Sequence, residues 1–263
     1  MSMFTTLWEH RSFIGSLVSR EVQVRSARAV WGNIWLVLEP ATQILIYTLV
    51  FGRVLGARLG DDTNTMSYGI YICSGILTWN FFQEIVARSQ TLFLEHAAIL
   101  KAVHFPRAAL PVALLASAGI NFAIVAGIFL CVLAATGNWP GWALLGVVPL
   151  LIIQIAIAGG LGILTGTINV FFRDTSRIVS ILMQFWFWLT PIVYPRSIVP
   201  EAMAPLYDWN PMVPIVEGYH SIVLDHAAPP WQEMVAPTVA AGLLLVIGWF
   251  VFRKLSPDLV DEL

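Results

Sequence analysis

Residues 108–135 read AALPVALLASAGINFAIVAGIFLCVLAA, a run without one acidic or basic side chain. A helix that crosses a bilayer needs roughly 20 consecutive, mostly apolar residues, and this run exceeds that length. Soon after it comes 142–172, WALLGVVPLLIIQIAIAGGLGILTGTINVFF, equally uncharged and long enough to tilt or to extend past the membrane. Working outward, four more apolar runs qualify: 31–52, 70–87, the short 178–194, and 235–252. Gly and Pro inside these runs do not veto helix, because membrane helices tolerate both. The expectation is an all-α integral membrane protein with six transmembrane helices, forming a single transmembrane domain over 1–263.

Composition points the same way. Apolar residues make up 58% of the chain and charged residues 11%, against about 25% charged in a soluble domain. The mean hydropathy is +0.77. A net charge of −2 suggests no nucleic-acid partner. Cys73 and Cys131 both fall inside apolar runs and read as small buried hydrophobes. The first thirty residues hold Arg11, Arg20, Arg25 and Arg28 and no long apolar core, so no cleaved leader is expected and internal spans drive insertion.

Lys and Arg orient the spans. Eleven of the 14 basic side chains fall in the N-terminal segment, the 88–107 loop, the Arg173–Arg177 corner and the Arg253-Lys254 tail. Only Arg53, Arg58 and Arg196 fall on the other side. Both termini are therefore expected in the cytoplasm, which an even number of spans also requires.

Two flanking segments are not spans. Residues 4–28 place Phe4, Leu7, Ile14, Val18 and Val22 on one helical stripe, as in an amphipathic helix lying in the membrane interface. Residues 195–230 alternate apolar patches with seven prolines. They are too broken to span, and short re-entrant outer helices are expected between spans five and six.

Several chemistries are excluded. There is no GxxxxGK[ST] phosphate loop, no GxSxG elbow and no HExxH pair among the five histidines. No catalytic residue, no metal site and no cofactor bound by this chain are expected.

Three stretches carry a family resemblance: 20–52, REVQVRSARAVWGNIWLVLEPATQILIYTLVFG; 99–111, ILKAVHFPRAALP; and 173–195, RDTSRIVSILMQFWFWLTPIVYP, followed by Asn210-Pro211. Together they resemble the permease subunit of type-2 ATP-binding-cassette exporters. The most similar branch exports lipid-linked polysaccharides such as O-antigens, capsules and teichoic acids. Two positions depart from the usual pattern: Ser26 follows Arg25 where the family often has Tyr, and His220 stands where it often has Arg.

The resemblance implies a homodimer in the bacterial inner membrane, with two copies of a separate cytosolic ATPase that binds ATP and Mg. It also implies a channel at or near the dimer axis and a lipid-linked glycan as substrate, with membrane lipid around. Residues 94–107 resemble the coupling helix that docks on the ATPase, through Glu95, His96, Ile99, Leu100, Lys101, Phe105 and Arg107. Arg20, Arg25 and Arg28 crowd the cytoplasmic interface, where a phosphate headgroup would meet them bidentately; positive-inside bias alone also explains them.

Glu39 and Glu84 lie within spans, where ionisable groups pair across helices or line a cavity. Trp79, Phe81, Phe82, Phe185, Trp186 and Trp188 offer ring faces on which sugar rings can slide, and equally offer packing bulk. Asp174 is a candidate helix cap, and Asn169 and Gln184 candidate interhelix glue. Thr190-Pro191 and Tyr194-Pro195 end the fifth span. Tyr194, Asp208, Trp209 and Asn210 are then expected in an external gate. The rival reading keeps the superfamily and changes the cargo to a small hydrophobic drug or lipid.

Overall fold

The computed structural model describes residues 11–27, 34–46, 65–102 and 107–262. Every regular element among these is helical. In chain order they are α1 (Arg11–Ala27), α2 (Ile34–Ile46), α3 (Thr65–Glu95), α4 (Ala97–Ala102), α5 (Ala109–Ala135), α6 (Val147–Phe171), α7 (Thr175–Trp188), α8 (Ala204–Asp208), α9 (Met212–Leu224), α10 (Val235–Leu255) and α11 (Leu259–Glu262). Short 3-10 turns cover Gly141–Gly146, Arg196–Ile198 and Glu201–Met203.

Among the described residues, three stretches are long and apolar enough to cross a membrane: Ala109–Ala135, Gly141–Phe171 and Val235–Leu255. They coincide with the expected spans 108–135, 142–172 and 235–252. Their outward faces confirm the solvent. Ile120, Val148, Ile152, Val239, Leu243, Val246 and Phe250 are all exposed. A bundle that presents apolar side chains outward on its long helices is built for lipid, because exposing that area to water costs about 25 cal/mol per Å².

α3 is the central helix. It packs against α5, α6, α7 and α9, and Ile72, Cys73, Trp79, Phe82, Ile85, Val86 and Phe93 are buried along it. The expected span 70–87 needs extending at both ends: α3 runs 31 residues, about 46 Å at 1.5 Å per residue. Glu84 and Arg88 interrupt the apolar run in the sequence, yet they pair with each other one turn apart, so the helix continues through them.

α6 joins α3 on one side and α10 on the other through glycines. A Cβ on Gly162 or Gly166 would collide with Ser89 of α3, and one on Gly160 would lie 2.6 Å from the Leu244 backbone of α10. Gly248 of α10 answers with a Cβ position 2.5 Å from the Gly160 carbonyl. Close backbone approach through small residues is how helices associate in lipid, where no hydrophobic force drives them together. Polar side chains reinforce it: Gln154 of α6 donates to the Thr78 carbonyl at 2.7 Å, and Gln90 of α3 donates to Thr165 Oγ1 at 2.6 Å.

The fifth expected span, 178–194, is corrected. Helix α7 begins at Thr175 and stops at Trp188 after 14 residues, about 21 Å, because Pro191 has no N–H to continue the ladder. Residues 189–195 are irregular. Asp174 occupies the N-cap position of α7 without a side-chain cap bond. Instead Asn169 Oδ1 accepts from the Ser176 N–H at 3.0 Å, and its Nδ2 donates to the Gln90 carbonyl at 2.8 Å. Asn169 is thus interhelix glue, whereas Gln184 is exposed. Of the two cysteines, Cys73 is buried and Cys131 exposed on α5, contrary to the expectation that both are buried.

Of the amphipathic segment 4–28, only α1 is described. It packs against α5, with Leu17 reaching the core and Ile14 and Val18 half-buried. Phe4 and Leu7 lie outside the described residues. Within 195–230, the longest helix is α9, which packs against α3 with Met212, Val213, Ile215, Val216, Tyr219 and Ile222 buried.

Candidate functional site

One end of the bundle gathers the segments expected at the cytoplasmic face. α3 ends at Glu95, and the chain turns at His96, whose Nδ1 lies 2.9 Å from the Leu92 carbonyl. The His96 carbonyl then accepts from the N–H groups of Ile99 and Leu100 at 3.1 and 3.0 Å. Within the 94–107 segment, Ala97–Ala102 therefore form a short helical peg, α4, set at a corner on α3. Glu95 and Lys101 are exposed on it; His96, Ile99 and Leu100 are half-buried, with Leu100 against the core. The short α11 braces α4 and α6, with Leu259 fully buried. Arg107 donates to Ser256 Oγ at 2.9 Å, tying the start of α5 to the end of α10.

Beside the peg lies a cavity of about 520 Å³, lined by Leu17, Arg20 and Glu21 of α1, Leu92 and Glu95 of α3, His96, Ile99, and Leu110, Ala113 and Leu114 of α5. Next to it sits an ionic cluster. Arg88 donates to Glu84 Oε1 at 3.1 Å, to Ser117 Oγ at 2.8 Å and to Glu21. Asn121 Nδ2 donates to Glu84 Oε2 at 2.8 Å. Three helices meet in these bonds. Glu84 was a candidate from the sequence; Arg88 and Glu21 were not. The Glu84–Arg88 spacing of four residues was a visible signal, but the partner on α1 was not. Arg28 and Phe105, and the side chains of Arg25 and Glu39, lie outside the described residues.

The aromatic candidates divide into two groups. Trp79, Phe81 and Phe82 are buried inside the subunit. Trp79 packs edge-on to Trp186 and Phe187, with ring centroids 6.2 and 5.7 Å apart, and Phe82 meets Trp186 at 5.3 Å. Phe81 packs on Phe122 at 4.4 Å. Phe185 and Trp188 point the other way, 66% and 59% exposed, and continue an exposed row on α7 with Ile178, Ile181 and Leu182. The run Phe185-Trp186-Phe187-Trp188 thus turns one pair of rings inward and puts Phe185 and Trp188 on the outer face, as four successive helical residues must.

The opposite end is built around Asn210. Its Oδ1 accepts from Trp186 Nε1 at 2.7 Å and from the Met212 N–H at 3.0 Å; its Nδ2 donates to the Leu189 carbonyl and to Thr190 Oγ1, each at 3.0 Å. One buried amide therefore closes the C-terminus of α7 and opens α9. Tyr71 Oη lies 3.0 Å from the Pro191 carbonyl and 2.9 Å from the Tyr194 carbonyl, while Tyr68 donates to Val193 at 2.9 Å. His220 stacks on Tyr71 with centroids 3.8 Å apart. Tyr194 Oη lies 2.5 Å from the Trp188 carbonyl and 2.6 Å from Tyr207 Oη.

The rim of this end is ionic. Arg196 reaches Asp208 at 2.7 Å and Glu217 at 3.4 Å. Burial holds the Glu217 carboxyl above its ordinary range, and Arg196 partly offsets that. Trp209 is 88% exposed, and Trp139, Trp142 and Trp231 are exposed as well. The sequence singled out Tyr194, Asp208, Trp209 and Asn210 in this region; it did not single out Tyr68 and Tyr71, which look like ordinary span residues.

The family described as ABC-2 type transporter matches residues 13–224. The O-antigen export system permease protein RfbA of Myxococcus xanthus is 27% identical over 98% of this chain and 97% of its own length. A protein of the same name from Klebsiella pneumoniae is 24% identical over 91% of this chain and 90% of its own. The polysialic acid transport protein KpsM of Escherichia coli is 22% identical over 78% of each.

Proposed function

The chain belongs to the ABC-2 type transporter family, and from that premise we propose that it is the transmembrane subunit of an ATP-driven exporter of a lipid-linked polysaccharide. The observation that carries the proposal is similarity over nearly the full length of permeases named for O-antigen export, joined by a weaker match to a polysialic acid transport protein. The small-molecule alternative draws no support from these relatives.

In this reading two copies of the chain form the permease in the inner membrane, each with six spans and both termini in the cytoplasm. Two copies of a partner ATPase bind ATP and Mg. The peg at 94–107 docks on that ATPase, offering Glu95 and Lys101 as exposed charges together with His96, Ile99, Leu100, Phe105 and Arg107. Arg20, with Arg25 and Arg28, draws the phosphate of the lipid-linked substrate to the interface, where a bidentate guanidinium suits it. ATP binding brings the two motors together and moves the pegs, and the channel opens.

The exposed Phe185 and Trp188 rings line that channel. A flat ring packs on a sugar face without a fixed hydrogen-bond pattern, so a polymer can advance past it. Trp79 and Phe82 hold the lining helix from behind through Trp186, and Phe81 packs on α5. Residues 195–230 re-enter the membrane from outside, and Tyr194, Asp208, Trp209 and Asn210 frame the outer gate.

The test is deletion of the reading frame in its host, followed by complementation. Loss of the chain should trap polymer on the cytosolic side of the inner membrane, and the Phe185→Ala/Trp188→Ala pair should restore assembly but not export. Normal arrival of surface polysaccharide in the deletion strain would overturn the proposal.

A further inference from the structure

We infer that the Glu21–Arg88 ion pair is a releasable latch that positions α1 against the coupling peg and lets go when the peg moves; the inference rests on the exporter reading above and concerns how its motor stroke reaches the interface. Arg88 sits seven residues before the end of α3, two turns from the peg. It carries a bond to each neighbour in reach: Glu84 within α3, Ser117 on α5 and Glu21 on α1.

Redundancy makes the pair releasable. Removing the sole partner of a buried charge is strongly unfavourable. Here Arg88 keeps Glu84 when Glu21 leaves, so no charge is stranded. The partners also differ in burial. The side chains of Arg88 and Glu84 are 18% and 19% exposed, while that of Glu21 is 37% exposed. Glu21 exchanges its partner for water at little cost; Glu84 does not.

Leu17, one turn before Glu21 on the same face, packs on the core, and α1 rests on α5. Gly15, Ser16 and Arg20 are exposed. Between α1 and the peg is the 520 Å³ cavity instead of close packing. A stroke that displaces the end of α3 relative to α5 shears the Arg88 cluster, and its Glu21 arm is the one that breaks most easily. α1 then swings on its Leu17 footing and the cavity opens.

The experiment places spin labels at Gly15→Cys and Ala98→Cys with Cys131→Ser, in lipid nanodiscs. A Cβ at Gly15 meets no atom within 4 Å, and Ala98 is exposed. The permease alone should give one narrow distance distribution, and Glu21→Gln should broaden it. With the co-purified ATPase, trapping ATP should shift the wild-type distribution toward that of the variant. Basal ATP turnover of Glu21→Gln should rise roughly twofold, as expected from losing a partly exposed ion pair. Glu21→Asp keeps a carboxylate for Arg88 and should give a distribution narrower than that of Glu21→Gln.

A narrow distribution in Glu21→Gln, or no shift on trapping ATP, overturns the latch. So does a Glu21→Asp distribution as broad as that of Glu21→Gln. The distances involve no cargo, so a complex that moves no polysaccharide but still shifts with ATP would sink the substrate reading and leave the latch standing.

Discussion

The two ends of the bundle are joined by different chemistry. At the peg end, the cluster that ties α1, α3 and α5 is ionic, partly exposed and redundant: Arg88 shared by Glu84, Glu21 and Ser117. Behind its ionic rim, the Asn210 end is held by neutral bonds, mostly to backbone carbonyls, as with Tyr68, Tyr71 and Asn210. An ion pair near water can exchange partners at small cost. A buried neutral group that loses its partner is left unsatisfied, at about 1–3 kcal/mol. The difference assigns movement to one end and fixed geometry to the other.

The comparison can be broken by substitution. The largest effect is expected away from both ends, as a control for the shared frame: Gly166→Leu should abolish folded yield, because its Cβ alone would collide with the Ser89 carbonyl. Asn210→Ala removes four bonds and should destabilise by about 2 kcal/mol, at the roughly 0.6 kcal/mol per bond measured for membrane proteins; reversible unfolding in mixed micelles would read it. Tyr71→Phe loses the hydroxyl that meets the Pro191 and Tyr194 carbonyls and should cost about 1 kcal/mol by the same measure. Glu21→Gln should be smallest, within about 0.5 kcal/mol, since its side chain is 37% exposed. A Glu21 effect as large as that of Asn210 would erase the contrast between the ends.

A further contrast lies within one helix. Trp186→Ala should lower stability, since its indole packs on Trp79 and Phe82 and donates to Asn210. Trp188→Ala should leave stability unchanged and impair export, its ring being exposed. Equal stability losses at the two positions would show that α7 presents no free face.

The long uncharged runs were legible because length and hydropathy alone decide whether a helix fits a bilayer. That is why 108–135 and 142–172 were located to within a residue or so. The fifth span was read too long because Leu189–Tyr194 keeps an apolar composition, while Pro191 ends the hydrogen-bond ladder. α3 was read too short for the opposite reason: Glu84 and Arg88 look like an interruption until their pairing is seen. Glu21 is 67 residues from Arg88, and no local pattern links them. The aromatic run at 185–188 fixes the angles between rings but not which neighbour each ring meets. Only α3 packing against α7 decided that Trp186 turns inward and Trp188 outward.

The glycine row in α6 has a mechanical consequence. Where Gly160, Gly162 and Gly166 bring backbones into contact, neither a lipid tail nor a water can slip between α3, α6 and α10. Those three rods are fused like the staves of a cask that has swollen tight. Widening a passage through such a wall happens by parting other seams, not by bending this one. Cross-linking α6 to α10 should therefore be harmless to transport, and any opening has to come where helices touch by side chains alone.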